Sequence, residues 1–404
     1  MSSRTKLVVV TTSTLLTVLL LIGSVLGKSS TPDEAYKHIG VFTDVVSRIK
    51  SEYVEEPDMK SVTLGALNGL LEAIDPFASY LNADQYKDYL KARDARKADV
   101  GLVLSRKFGY VGVVGTVPGS PAAKAGLSTG DMIETIKGIA TRDMPLAYAS
   151  LLLQGDSGST VELTVVRVRR PEPIQMKLTR AELVLPAVEE KLMPNQVGYI
   201  RPGALSAGKV KDVKEAVERL QKQGAQKLVL DLRGCAVGSP DDGAALANLF
   251  LKSGRIAYLQ GQRIQRQNLE ADPSKAITSL PLAVVTNRGT ADGAEIAVAA
   301  LAEAKRAQTV GERTYGDAAM RRAITMDDGG AIILSVAKYY TPSGKSIQDN
   351  GVTPMHAVAE PEAQVDVDEN GDPLPDAKDE PAPQKKLEDD PLYKKAVEVL
   401  GSNA

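Results

Sequence analysis

The stretch of this chain whose residue types and spacing could do chemistry is residues 281–320. Its pattern predicts a buried strand at 282–286, a tight glycine turn, an alanine-rich helix at about 293–307 and a second strand at 309–310. A sharp turn from a strand into a helix lifts one side chain onto the helix N-terminus, where α/β hydrolases hold a nucleophile. The residue at that point is Asp292. A carboxylate is a poor nucleophile for peptides, because its attack on an amide would give a labile anhydride.

A second carboxylate, Asp317, follows 25 positions after Asp292 (317 − 292 = 25). The surrounding sequence resembles the catalytic segment of the carboxy-terminal processing peptidases, also called tail-specific proteases. That family reads G-S-A-S-A-S-E-I and then G-E-x-T-F-G-K-G-x-x-Q, where this chain has GTADGAEI at 289–296 and GERTYGDAAMR at 311–321. The resemblance places Asp292 at the family's serine nucleophile, Asp317 at its lysine base and Arg321 at its glutamine. It implies a member with replaced catalytic residues.

The turn that would form the family's oxyanion hole is also altered. The family reads D-L-R-x-N-P-G-G where residues 231–238 of this chain read DLRGCAVG. Val237 stands where the family has a glycine whose N–H faces the oxyanion. A Cβ atom disfavours positive φ at this position, so we expect the donor to be turned away. The sequence therefore predicts a degenerate site without hydroxyl, amine or intact oxyanion turn.

The carboxylates also have simpler interpretations. Asp292 and Glu295 have the spacing of a capping box, in which Asp292 would cap the helix and stabilise it by about 1 kcal/mol. Arg321 is expected to lie close enough to pair with Asp317 or Asp292. Two catalytic or binding alternatives stay open: a pair of aspartates working as in aspartic peptidases, and a weak site for a divalent cation. No other metal ligands and no cofactor motif accompany them.

Other side chains have the right chemical type but no evident partner. They are Ser239, Thr290, Cys235, His38 and His356, with Lys338 and Lys345 as further bases. No G-x-S-x-G elbow accompanies the histidines. The single thiol is more simply a small, semi-buried residue in place of the family's asparagine. An active serine-type endopeptidase that uses displaced residues is the alternative to a degenerate site.

Residues 113–138, VVGTVPGSPAAKAGLSTGDMIETIKG, resemble a PDZ domain through the ordered pattern SPAxxAGLxxGDxIxxIxG. The resemblance implies a loop whose backbone N–H groups bind the carboxylate of a peptide C-terminus. That loop consists of Gly101, Leu102, Val103 and Leu104. A helix at 145–153 would form the other wall of the groove. The alternative is a PDZ fold that docks only on its own neighbouring domain.

The N-terminus predicts membrane attachment. An uncharged, largely apolar run at residues 7–27 follows Arg4 and Lys6 and ends at Lys28. Its length suits a membrane span of about 20 residues, and the basic residues before it place the rest of the chain outside the cytoplasm. A cleaved secretory signal is the alternative. The balance of 49 basic and 51 acidic side chains indicates no nucleic-acid-binding surface.

These patterns together predict a multidomain α/β protein with a mostly parallel sheet in its largest domain. The predicted segments are a membrane anchor or signal (1–28), a helical region (32–95), a PDZ domain (96–182), a protease-like domain (183–360) that begins with a linker (185–196), and a flexible acidic, proline-rich tail with a short helix (361–404). The resemblance implies a crotonase-like fold for the protease-like domain. We expect an inactive, membrane-anchored homologue that binds protein C-terminal tails on the periplasmic side. It would form oligomers with itself or with an active relative.

Overall fold

The computed structural model describes residues 32–94, 98–142, 144–167, 170–206, 208–360 and 386–401. The expected membrane span at 7–27 lies outside the described residues. Within these ranges no helix has both the length and the apolar character needed to cross a bilayer. The chain divides into two compact units, Met1–Leu64 and Gly65–Ala404.

The first unit contains helix α1, Pro32–Glu52, and the beginning of helix α2, Met59–Glu72. The helical spacing of Ile39, Phe42 and Val45 gives α1 one apolar face, and 49–58% of the surface of each of these residues is exposed. The prediction of helices in this region is confirmed.

The part of the predicted helical region after Gly65 belongs to the second unit. It contains a strand that the sequence analysis did not find, β1 at Ser79–Leu81, followed by helix α3 at Ala83–Asp94. Strand β1 pairs antiparallel with residues 331–333 of the protease-like domain. A strand of three residues is too short to show a periodic pattern, and its partner lies far away in sequence.

The PDZ-like region forms a six-stranded antiparallel sheet in the order β2-β3-β4-β6-β7, with β5 paired to β4. Its elements are β2 (Leu102–Lys107), β3 (Tyr110–Thr116), α4 (Pro121–Lys124), β4 (Met132–Ile136), β5 (Ile139–Ala140), α5 (Leu146–Leu153), β6 (Thr160–Arg167) and β7 (Arg170–Thr179). Ser120 begins α4 by accepting a hydrogen bond from the Ala123 backbone N–H. Strand β2 is an edge strand of this sheet, which leaves one side of its backbone open to another segment.

The protease-like domain contains two sheets. The elements up to the turn at Asp292 are β8 (Glu189–Met193), β9 (Val197–Arg201), α6 (Lys209–Lys222), β10 (Lys227–Asp231), α7 (Pro240–Asn248), β11 (Arg255–Gln260), β12 (Gln267–Glu270) and β13 (Leu282–Thr286). The elements after it are α8 (Gly293–Glu303), β14 (Gln308–Gly311), β15 (Ala319–Thr325), β16 (Ala331–Tyr340), β17 (His356–Ala357) and α9 (Pro391–Gly401). One sheet has the order β17-β14-β13-β10-β9-β8, and the other has β1-β16-β11-β12 with β15 paired to β16.

The expectation of a mostly parallel sheet holds for only one of these sheets. In the first sheet every pair is parallel except β8 with β9. In the second sheet every pair is antiparallel. The reason lies in the connections: β15 and β16 are joined by the short turn at 326–330, and only antiparallel strands can be joined by so short a turn.

The segments predicted as a linker and a tail are partly built into the domain. Strand β8 lies in the expected linker and pairs along the edge of the first sheet. Helix α9 forms as predicted, but it buries Leu392, Ala396 and Leu400 in one cluster with strand residues such as Val285. Helix α9 therefore covers the first sheet, and the acidic, proline-rich part of the predicted tail at 361–385 lies outside the described residues.

Candidate active site

The strand, turn and helix predicted around Asp292 are present. Strand β13 is buried along its whole length, and α8 begins at Gly293. Asp292 between them has φ 52° and ψ −126°. A non-glycine residue in this region of backbone space carries strain of about 1–3 kcal/mol. This is the sharp elbow on which hydrolases present a nucleophile, and it persists with aspartate in that position.

Two glycines allow the helix that follows the elbow to pack closely against a neighbouring helix. A Cβ atom on Gly293 would lie 2.2 Å from the backbone oxygen of Ser239, and one on Gly243 would lie 1.9 Å from the backbone oxygen of Gly293. Helices α7 and α8 therefore meet backbone to backbone at their N-terminal ends. This contact leaves the direction of the chain at Asp292 little freedom.

The predicted capping box at this helix is wrong. The Asp292 side chain makes no capping hydrogen bond, and its φ of 52° and ψ of −126° differ from the extended conformation typical of an N-cap residue. The fully buried Glu295 carboxylate instead accepts hydrogen bonds from the Thr314 hydroxyl and from the backbone N–H groups of Gly316 and Asp317, the latter two at 2.8 Å. Glu295 thus fixes the loop that carries Asp317.

The predicted pairing of Arg321 is confirmed, with Asp317 as its partner. The Arg321 guanidinium donates a hydrogen bond to the Asp317 carboxylate, whose side chain is 11% exposed. On its other side the guanidinium carbon lies 4.0 Å from the ring centroid of Phe77. A cation therefore lies beside Asp317, but it is a guanidinium that cannot accept a proton.

Buried carboxyl groups dominate the electrostatics of the site. Burial, and after it the carboxylate of Asp317, raises the pKa of Asp292 to about 8. Burial raises the pKa of Glu295 to about 8 and also raises the pKa of Asp317, although Arg321 acts in the opposite direction. Asp292 and Glu295 therefore tend to keep their protons near neutral pH, whereas Asp317 is paired with the Arg321 guanidinium. They supply neither a serine hydroxyl nor an unprotonated amine.

The oxyanion turn is held in a defined conformation. The Gly234 backbone N–H donates to the Asn287 side-chain oxygen at 3.0 Å, and the Leu205 backbone N–H donates to the Val237 carbonyl at 2.6 Å. Gly234 has φ 67°, whereas Val237 is not among the non-glycine residues with positive φ in the described ranges. The expected turning away of the Val237 N–H stays a prediction.

The hydroxyl and thiol groups that could act as alternative nucleophiles are hydrogen-bonded elsewhere or buried. The Ser239 hydroxyl caps α7 in a capping box with Asp242. The fully buried Thr290 hydroxyl donates to the Leu232 carbonyl at 2.9 Å. Burial raises the pKa of the Cys235 thiol to about 12, so it stays protonated and unreactive.

The remaining bases lie in other settings. The Lys338 ammonium donates to Asp349 at 2.8 Å, and Lys345 is exposed. His356 shares a hydrogen bond of 3.0 Å with the side chain of Gln308 at the edge of the first sheet, and His38 belongs to α1. Among the described residues no group of three or more potential ligands has the arrangement of a metal site.

In the loop predicted to bind a peptide carboxylate, the first backbone N–H already donates to a side chain of the same chain. The Gly101 backbone N–H donates to the Asp99 carboxylate at 2.7 Å, and a Cβ atom on Gly101 would lie 2.3 Å from Cβ of Ser120. Gly101, with φ 81°, is therefore a structural turn residue. Leu102 and Val103 are partly exposed, while Leu104 is buried in the core of the PDZ-like region.

The contact between the PDZ-like region and the active-site loop was missed by the sequence analysis. The hydroxyls of Ser105 in β2 and Tyr315 in the loop before Asp317 share a hydrogen bond. The Tyr315 ring also lies edge-on to Phe77, with centroids 6.3 Å apart. No local sequence pattern marks these residues, because the contact joins three distant segments.

Comparison with known proteins matches the protease-like domain and the PDZ-like region to one family description each. The description "Peptidase family S41" matches residues 196–358, and "PDZ domain" matches residues 112–167. The chain is 30% identical over 331 residues to a "Carboxy-terminal-processing protease" of Bartonella bacilliformis, covering 81% of this chain and 76% of that protein. It is 32% identical over 321 residues to a "Carboxyl-terminal-processing protease" of Synechocystis sp., covering 78% and 75%. The solved structure of a photosystem II D1 C-terminal processing protease superposes with a TM-score of 0.65 at 27% identity, over 79% of this chain and 92% of that one.

Proposed function

The chain belongs to peptidase family S41 among the carboxy-terminal processing proteases, and from this premise we propose that it has lost peptide cleavage and holds protein C-terminal tails through its PDZ domain. The observation that carries the proposal is the pair of carboxylates at the elbow and on the loop 25 residues later. Asp292 occupies the strained nucleophile position, and Asp317 is tied to Arg321.

Peptide hydrolysis by this scaffold needs a nucleophile, a base and an oxyanion hole. Asp292 lacks a hydroxyl to activate, and of the two lysines considered as bases Lys338 is bound to Asp349 and Lys345 is exposed. An aspartic-type mechanism needs two carboxyl groups that share one proton across a water molecule. The ion pair with Arg321 works against that arrangement, since it favours the ionised form of Asp317.

The proposed setting is the extracytoplasmic side of a membrane. Arg4 and Lys6 before the apolar run at 7–27 support an anchor with the remainder of the chain outside. A protein there that binds tails without cutting them would act as a scaffold or would compete with an active relative for substrates. Assembly with itself or with such a relative is part of the proposal.

The test combines cleavage with binding on the purified full-length protein in detergent. Unstructured peptide tails are incubated with it and followed by mass spectrometry, and binding of fluorescein-labelled tails is followed by anisotropy with free and with amidated C-termini. We expect intact peptides and binding that is at least about tenfold weaker after amidation, because amidation removes the carboxylate that the loop would bind. Equal binding of both forms would refute tail capture.

Cleavage would refute the loss of activity, and three variants then identify the residue responsible. Cleavage abolished by Ser239→Ala or Thr290→Ala would establish the alternative, an active serine-type endopeptidase with displaced residues. Cleavage that survives both changes and fails in Asp292→Ala would point to the carboxylates. The matched control is Ser343→Ala, a hydroxyl that lies on an exposed turn and donates to Glu303.

A further inference from the structure

A segment of the chain itself lies at one end of the groove between β2 and α5. The backbone N–H of Arg106 in the edge strand β2 donates to the Pro76 carbonyl at 3.1 Å. Across the groove the backbone N–H of Ala147, in the first turn of α5, donates to the Ser79 hydroxyl at 3.1 Å. A peptide that extends the sheet of a PDZ domain uses the same open edge of this strand. Residues 76–79 therefore take part of the place that an added peptide strand would occupy.

The side chain of Phe77 provides the apolar contact that a ligand side chain would make. Phe77 is 5% exposed and is part of the same buried cluster as Leu104 of β2 and Leu146 and Ala149 of α5. Its ring comes from outside the sheet and helices of the PDZ-like region. A main-chain hydrogen bond to the edge strand together with an apolar side chain in the groove is how strand-adding peptides are recognised.

We propose that residues 76–79 are an internal ligand of the PDZ groove, with Phe77 as its anchor, and that a peptide with an aromatic or large aliphatic side chain binds by displacing it. The proposal refines the tail-binding function proposed above. It rests on that function only for the claim that the peptide that displaces residues 76–79 is a protein C-terminal tail.

Two carboxylates directly before the internal ligand attach this stretch of chain to its neighbours. The Asp75 carboxylate accepts hydrogen bonds from the backbone N–H groups of Phe77 at 2.9 Å and of Ser335 in β16 at 3.0 Å. The Glu72 carboxylate accepts from the Arg106 side chain at 3.2 Å and from the backbone N–H of Gly109 at 3.0 Å. One continuous stretch thus connects the PDZ groove to the second sheet of the protease-like domain.

Displacement of the internal ligand would reach the degenerate active site through Phe77. The Arg321 guanidinium lies over the ring of Phe77 and binds Asp317, and the Tyr315 ring packs against the same phenyl group at an interplanar angle of 71°. A peptide that takes the place of Phe77 removes a cation–π partner of Arg321 and a packing partner of Tyr315. Occupancy of the groove is therefore linked to the position of the loop that carries Asp317.

The experiment adds the internal ligand as a separate peptide. The probe is a fluorescein-labelled, C-terminally amidated peptide copying residues 74–81, IDPFASYL, and its partner is the same peptide with alanine in place of phenylalanine. Binding is measured by anisotropy to the wild-type protein, to Phe77→Ala and to Ile74→Ala, which removes an apolar side chain that is 62% exposed in the same segment. We expect Phe77→Ala to bind the phenylalanine peptide at least about tenfold more tightly than the other two proteins, because its groove is more often open. The alanine peptide should not distinguish the three proteins.

Equal binding of the phenylalanine peptide by folded Phe77→Ala and by Ile74→Ala would overturn the proposal. If circular dichroism shows that Phe77→Ala does not fold, Ser79→Ala decides, because it removes only the hydroxyl that binds the Ala147 N–H. We expect this variant to bind the peptide about threefold more tightly than wild type, and unchanged binding would overturn the proposal. Trans binding by the variants without any binding of free-carboxylate tails would refute the tail-binding function and leave the internal ligand supported.

Discussion

Asp292→Asn should make the protein more stable at alkaline pH. The pKa of Asp292 is raised from an ordinary value of 3.8 to about 8, first by burial and then by Asp317. A carboxyl group whose pKa is higher in the folded state favours folding when protonated. This contribution is complete below pH 3.8 and is lost as the pH rises through 8. About four pH units at about 1.4 kcal/mol each give an upper limit of about 6 kcal/mol for the loss.

The amide that replaces the carboxyl group in this variant cannot ionise, so the variant avoids that loss. Asparagine has nearly the same shape as aspartate, so the strained elbow at φ 52° and ψ −126° should cost a similar free energy in both proteins. We expect Asp292→Asn to be within about 1 kcal/mol of wild type at pH 5 and at least about 2 kcal/mol more stable at pH 9, since part of the full loss is relieved by neighbouring acids that stay protonated.

The assay is urea denaturation followed by circular dichroism at pH 5, 7 and 9. Asp156→Asn, which removes one exposed carboxylate in the PDZ-like region, is the matched control for a change in net charge. A difference between wild type and Asp292→Asn that is the same at pH 5 and pH 9 would refute the reasoning, because it would mean that Asp292 ionises freely in the folded protein.

Three further predictions follow from the packing. Gly243→Ala should destabilise the protein by about 3 kcal/mol or more, because its Cβ atom would lie 1.9 Å from the Gly293 carbonyl; Gly69→Ala, in a helix with open space around it, is the control and should not lower the melting temperature. Cys235 should react with a thiol reagent at pH 8 only as fast as the protein unfolds, since burial raises its pKa to about 12, and rapid labelling of the folded protein would contradict this. Leu392→Ala should cost about 2–5 kcal/mol in urea denaturation because Leu392 is fully buried, and a cost below about 1 kcal/mol would show that α9 is not part of the core.

Sequence patterns predicted the elements around the site well. The strand before Asp292 was placed at its observed residues, because five consecutive apolar and β-branched side chains bounded by a turn leave few alternatives. The capping box was predicted wrongly for a physical reason. The spacing of Asp292 and Glu295 says nothing about φ at residue 292, which adjoins the close backbone contact of α8 with α7, a distant part of the chain.

Contacts between segments that are remote in sequence could not be predicted either, because no local pattern specifies them. Phe77 follows an Asp-Pro pair that reads as the end of a helix, and nothing nearby indicates that its ring enters the PDZ-like region. The sequence predicts a short terminal helix, but the docking of α9 depends on the apolar face of a sheet whose strands β9, β10 and β13 lie far upstream. Strand β8, mostly polar, shows its role only through its pairing with β9.

The docking of α9 has a consequence for the order in which the protein assembles. The buried residues of this helix cover one face of the parallel sheet, where Val197, Val229 and Val310 would otherwise face water. During synthesis these strands leave the ribosome well before residues 391–401. The PDZ-like region can fold on emergence, since domains generally fold as units in the order of their synthesis. The apolar face of the sheet stays bare until α9 appears, and in that interval it is a natural place for a chaperone to bind.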